Sequence, residues 1–231
     1  MIRAVVFDLD HTLFDRYATF KKVMPELYNH YRNIIPSDMS VDEFIEGITK
    51  IEKNYIHYSW NRVLEECTKE GIINLDSEEK IKEAINYIVY NCWSIDAVKY
   101  PFTEPMLIKL KEMGYKTGII TNGGHEPQSK KIEMLGIAEF VDEIVITGDV
   151  GVHKPEAEPF IVMSQKLGIA PEEMLYVGDH PLNDVEGSRN AGYIPVWVKT
   201  TGFWCLKDIE HAPYEVETVA EIPELLEKIN K

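Results

Sequence analysis

"IRAVVFDLDHTLF", residues 2–14, is the stretch on which the fold turns. Between Ile2 and Phe7 only Arg3 is polar. A short, nearly continuous apolar run of this kind suits a central parallel strand covered on both faces. The run then ends on Asp8 and Asp10. Side chains at i and i+2 of an extended chain point the same way. Two carboxylates are thus crowded beside an apolar core, where like charges repel and desolvation is costly. Such a strand end calls for a cation, for separate tasks for the two acids, or for both.

Working outward, "YKTGIIT" (115–121), "VDEIVIT" (141–147), "EMLYVGD" (173–179) and "GYIPVWV" (192–198) have the same character. Helical patterns fall between them at about 103–113, 127–135, 156–167 and 182–191. Strands and helices alternating at this spacing predict an α/β fold with a doubly wound, Rossmann-like parallel sheet. Residues 15–99 differ. They hold no good strand, and their apolar residues recur at helical spacing, which predicts a bundle of about four helices inserted after the first strand. Ser40 and Ser77 are placed to cap helices and Gly71 to stop one. "EIPELLEKINK" (221–231) reads as a closing helix. The expected organisation is a core of residues 1–14 and 100–231 and a helical domain of residues 15–99.

Composition narrows the function. The chain has 231 residues, 45% of them hydrophobic, and a formal net charge of −15. So acidic a surface argues against nucleic acid or an anionic membrane as the main partner. Cys67, Cys92 and Cys205 are few, odd in number and without CxxC spacing, as in a reduced, cytoplasmic protein. The first apolar run is too short for a secretion signal. No window approaches the roughly 20 apolar residues of a membrane span.

In open parallel sheets ligands bind beyond the carboxyl ends of the strands, and there this chain places its unusual residues. The first predicted strand ends in Asp8 and Asp10, the second in Thr121, Asn122 and Gly123. Lys154 follows the third, and Asp179 and Asp184 follow the fourth. Taken singly, each is an ordinary turn or surface residue. Together, in order and each just past a strand, they describe one site.

The four segments "DLDHT" (8–12), "ITNG" (120–123), "HKP" (153–155) and "GDHPLND" (178–184) resemble the motifs of the haloacid dehalogenase-like hydrolase superfamily. The helical insert lies where its subfamily I members carry a C1 cap. The sequence is most similar to the small-molecule phosphatases of that superfamily. The resemblance implies Asp8 as nucleophile, forming an aspartyl-phosphate that divides one hard step into two. It implies Asp10 as general acid toward the leaving alcohol and then general base for water. Dehalogenases lack this second Asp. Mg²⁺ is implied on the carboxylates of Asp8 and Asp179 and the backbone carbonyl of Asp10. Asp184 is expected behind them, holding a metal-bound water or orienting Lys154. Thr121 and the N–H groups of Asn122 and Gly123 are expected on the phosphoryl oxygens, with Lys154 offsetting charge. The cap is expected to open for exchange and close for chemistry.

Several residues are expected to stay out of the chemistry. Thr12 is read as capping the turn after the first strand, and His11, His125 and His180 as solvent-facing loop residues. The aromatic stretch "YIHYSW" (55–60) is read as interior to the helical domain. The substrate implied is a small phosphate ester, a sugar phosphate or a nucleoside monophosphate. A phosphomutase would keep the same four motifs. A phospho-accepting receiver domain fits less well, because its acceptor lies on a middle strand and it has no helical insert. A non-catalytic binding protein on the same fold is the remaining alternative.

Overall fold

A computed structural model describes residues 1–55, 59–201, 204, 206 and 208–230. Three residues of the aromatic stretch (56–58) and Cys205 lie outside the described residues. The chain divides into two compact units, Met1–Asp15 with Lys99–Lys231, and Arg16–Val98.

The first strand, β1 (Ala4–Phe7), leads into the helical unit of α1 (Arg16–His30), α2 (Val41–Asn54), α3 (Trp60–Lys69) and α4 (Glu78–Tyr90). Each helix buries one stripe, as Phe44, Ile48 and Ile51 do on α2. Ser40 and Glu43 form a reciprocal capping box at the start of α2. Ser77 Oγ accepts from Lys80 N at 3.3 Å. Gly71 has φ +70 just past α3, a left-handed turn in which a β-carbon would be strained. The interior is aromatic. Phe20 stacks on Trp60 at 5.9 Å between ring centroids, and the Arg16 guanidinium lies 4.7 Å from the Trp93 ring while bonding Glu52. Cys67 and Cys92 are free and buried, and burial pushes both thiols up to about 12.

The other unit continues with α5 (Thr103–Glu112), β2 (Lys116–Thr121), α6 (His125–Leu135), β3 (Glu143–Ile146), α7 (Thr147–Val150) and α8 (Glu158–Leu167). Then come β4 (Met174–Gly178), α9 (Gly187–Asn190), β5 (Ile194–Val198), β6 (Tyr214–Val216) and α10 (Ile222–Ile229). The strands form one parallel sheet in the order β3-β2-β1-β4-β5-β6. This is the doubly wound α/β arrangement predicted. All four residues of β1 are buried, because β2 and β4 flank it and helices cover both faces. Ala4, Val6, Ile120, Val145, Phe160, Met163 and Tyr176 make one of its cores.

Two differences have local causes. β6 was not expected: it is a three-residue edge strand in which only Val216 is buried, too short for an apolar signature. The helix expected from 182 opens as a π-helical turn, Pro181–Glu186. His180 O accepts from both Asp184 N and Val185 N there, and so wide a turn is characteristic of functional sites. No helix among the described residues is long and apolar enough to cross a membrane.

Candidate active site

Sheet topology places the site. Chain order reverses on either side of β1, which lies between β2 and β4. The crevice at such a switch point, beyond the carboxyl ends, is where α/β sheets bind ligands. Asp8 and Asp10 follow β1, Thr121 ends β2 and Asp179 follows β4. Asp8 N donates to Val177 O at 2.9 Å, which carries the ladder one residue past β1 and fixes where the Asp8 carboxylate starts.

Lys154 organises the centre. Its buried ammonium, with three protons to give, stands within hydrogen-bond reach of four acceptors: Asp8 Oδ1 and Asp184 Oδ1, both at 2.7 Å, Tyr176 OH at 2.8 Å and Ile120 O at 3.1 Å. The loop that presents it is clamped by Asn122, whose Oδ1 accepts from Lys154 N at 2.9 Å and whose Nδ2 donates to Lys154 O at 3.0 Å. Asp8, Asp179 and Asp184 each bring a carboxylate oxygen within 4.8 Å of the others, and all three are buried.

The electrostatics follow from three buried carboxylates facing one ammonium. Burial, against the pull of Lys154 and with Asp184 and Asp10 nearby, raises Asp8 to about 7. Burial, then Asp184 and Asp8, raise Asp179 well above its usual value. Burial alone would lower Lys154, but Asp184 and Asp8 outweigh it and hold the ammonium well above its usual value. One cation shared among several acids is therefore held firmly while two of the acids lack full compensation. A second cation would relieve them. Clustered hard oxygen donors are the ligands that Mg²⁺ takes, with waters completing its octahedron, so these residues fit that ion. Asp184 is already engaged through both oxygens, by Lys154 at Oδ1 and by His180 N at Oδ2, 2.9 Å away.

Thr121, Asn122 and Gly123 stand at the same edge, and the Gly123 N–H has a partner within the protein. That N–H donates to Thr147 Oγ1 at 3.2 Å. A backbone N–H has one proton to give, so here it braces the loop. Gly123 O in turn accepts from Gly148 N at 2.9 Å, and a β-carbon on Gly148 would stand 2.7 Å from that oxygen. Thr121 Oγ1 accepts from Gln128 Nε2, which leaves its own hydroxyl proton available. Asn122 contributes a side-chain clamp on Lys154, a role its position in the sequence did not disclose.

The neighbouring residues also differ from expectation. His11 is buried, not solvent-facing. Its φ of +61 and its carbonyl, which accepts from Thr200 Oγ1, make it the pivot of the turn between Asp10 and Thr12. Thr12 Oγ1 donates to Asp8 Oδ2 at 3.3 Å. His180 Nδ1 accepts from Leu182 N and Asn183 N and caps the π-helical turn. His125 is exposed and pairs with Asp149 at 2.8 Å.

Sequence reading missed Tyr176, Gln128, Lys131 and Thr147. Tyr176 is one more aromatic on a buried strand. Gln128 and Lys131 read as the polar positions of a surface helix, yet Lys131 Nζ lies 2.9 Å from both carboxylate oxygens of Asp10. Nothing in their spacing sets them apart.

Gly178 yields a prediction. A β-carbon there would stand 2.4 Å from Asp184 Cγ. Gly178→Ala must displace the carboxylate that holds Lys154 and His180 N, and is expected to lose about 1–3 kcal/mol of stability. Urea unfolding measures this, and an unchanged midpoint would show that Asp184 can yield freely.

Comparison with known proteins agrees with the geometry. Residues 5–198 match the family model described as haloacid dehalogenase-like hydrolase. The chain belongs to that family. As a haloacid dehalogenase-like hydrolase it is 30% identical to the glyceraldehyde 3-phosphate phosphatase of Methanopyrus kandleri, over 100% of both chains. It is 31% identical to the protein of the same name from Pyrococcus furiosus, over 100% of this chain and 94% of that one. Among solved structures, a haloacid dehalogenase-like phosphatase from Thermococcus onnurineus superposes with a TM-score of 0.64. That structure is 27% identical and covers 97% of this chain and 98% of its own.

Proposed function

We propose that this hydrolase is a Mg²⁺-dependent phosphatase that cleaves a small phosphate monoester through an aspartyl-phosphate on Asp8. The observation that carries the proposal is the buried Asp8 carboxylate, bonded to Lys154 within a triad of carboxylates at the sheet's switch point. The second acid, Asp10, supports phosphoryl transfer over dehalogenation.

Asp8 attacks phosphorus, and the bond from phosphorus to the leaving oxygen breaks as Asp10 gives that oxygen a proton. Water then attacks the aspartyl-phosphate and loses a proton to Asp10. The bond from phosphorus to the Asp8 oxygen breaks, freeing phosphate and restoring the Asp8 carboxylate and the protonated Asp10. The Thr121 hydroxyl and Asn122 N–H orient the phosphoryl oxygens, and Lys154 stabilises charge gathering on them. Asp8, Asp179 and the Asp10 carbonyl would hold Mg²⁺, which supplies positive charge against phosphate and carboxylates. Asp184, whose two oxygens already accept from Lys154 and His180, aims the Lys154 ammonium. Asn122 secures the same lysine through its backbone. The helical unit, Arg16–Val98, is read as the cap. The relatives named as glyceraldehyde 3-phosphate phosphatases support a sugar phosphate as substrate in preference to a nucleoside monophosphate.

A hydrolysis screen over a phosphate-ester panel tests this. Phosphate release is expected without a bisphosphate activator, fastest from short sugar phosphates, lost on chelation and regained with Mg²⁺. Release that survives chelation would refute the metal's part. A panel that yields no phosphate would refute the reading as a whole.

A further inference from the structure

The site contains a second lysine that the mechanism above does not use. Lys131, in the second turn of α6, places Nζ 2.9 Å from both Oδ1 and Oδ2 of Asp10. This is not a solvated surface pair: the Lys131 side chain is 7% exposed, and its ammonium lies 5.5 Å from the centroid of the buried Phe14 ring. Gln128, three residues earlier on the same helix, reaches Asp10 Oδ2 at 3.4 Å while bonding Thr121 Oγ1. Burying a lysine costs desolvation and side-chain entropy. Here that cost places an ammonium symmetrically on one carboxylate, apart from the four acceptors of Lys154.

We infer that Lys131, backed by Gln128, is a positioning residue that sets the direction in which Asp10 presents its carboxyl group to the leaving-group oxygen. The terminal torsion of an aspartate is broad and weakly restrained. Asp10 is also the less enclosed member of this pair, its side chain 24% exposed. Contact at both oxygens from a single seated ammonium removes that freedom. Proton transfer depends steeply on geometry. The contact therefore acts on the one step that Asp10 serves in departure, protonation of the leaving oxygen. This rests on the reading of Asp10 as general acid.

The test compares Lys131→Met, Lys131→Arg and Asp10→Asn on p-nitrophenyl phosphate, which leaves without help, and on glycerol phosphate, which needs a proton. Lys131→Met is expected to lower kcat on glycerol phosphate by about 10- to 100-fold, but on p-nitrophenyl phosphate by no more than about 3-fold. KM should stay near that of the parent. Lys131→Arg, which can still span two carboxylate oxygens, should recover most of the loss. In the Asp10→Asn background, Lys131→Met should add no further discrimination between the esters. Where the Met variant does not fold, Lys131→Gln keeps a polar head in the seat and is read the same way. Equal slowing of both esters by Lys131→Met, while Asp10→Asn still discriminates, overturns this inference alone. An Asp10→Asn enzyme that slows both equally overturns the assignment of Asp10 and this inference with it.

Discussion

Asp8→Asn should lower kcat by on the order of 10⁴-fold or more, while the protein stays folded. An amide cannot replace the attacking carboxylate, yet its oxygen can still accept from Lys154 Nζ, now 2.7 Å from Asp8 Oδ1. Stability separates lost chemistry from lost fold. Without metal, burial raises the folded-state Asp8 carboxyl from 3.8 to about 7. Across that window the folded protein holds a proton that the unfolded chain has released, so stability falls as pH rises and stays reduced above it. Asn carries no such proton. The variant should lose this part of the slope, and at pH 8 without Mg²⁺ it should be at least as stable as the parent. Urea midpoints at pH 5 and pH 8 give the slope, and turnover on any ester in the panel gives the rate. An Asn variant with parental turnover would remove Asp8 from the role of nucleophile.

Lys154→Met should be damaging in both respects. Its ammonium is shared by Asp8, Asp184, Tyr176 OH and Ile120 O, all of them on buried residues. Methionine fills the volume but leaves buried carboxylates without their cation, a change expected to cost about 3–5 kcal/mol. It also removes charge stabilisation from the phosphoryl group, about 10²–10³-fold in kcat. Arginine should not rescue it. Four acceptors between 2.7 and 3.1 Å around one nitrogen form a cage for a point charge, and a planar guanidinium does not fit it. Added Mg²⁺ should return part of the lost stability, because it compensates the same carboxylates. Chemical unfolding with and without Mg²⁺ measures both effects. A Met variant within about 0.5 kcal/mol of the parent would show the cage to be energetically idle.

How much of this was legible in the chain depended on the kind of information required. Doubly wound topology follows from five apolar runs separated by helical patterns, because a parallel strand buried on both faces must be apolar nearly throughout. The three-residue β6, held at the sheet edge by β5, has no such signature. The helix caps at Ser40 and Ser77 were legible because capping is decided within four residues. The π-helical turn at Pro181–Glu186 was not, since its width depends on how Asp184 meets Gly178 and Lys154.

The residue pattern alone discloses which polar residues stand at the strand ends, since strand periodicity and sheet topology turn linear position into a place on one edge. It determined the i, i+2 pairing of Asp8 with Asp10 for the same reason. Packing between distant elements sets how those groups divide their hydrogen bonds. It gave Gly123 N–H to Thr147, the Asn122 side chain to the Lys154 backbone, and His11 to the interior. It also brought Lys131 and Tyr176 to the site from positions that read as helix surface and strand core. Each buried donor has few protons and each carboxylate few lone pairs. Which partner takes them is settled by distances between elements far apart in the chain, and no local pattern encodes those distances.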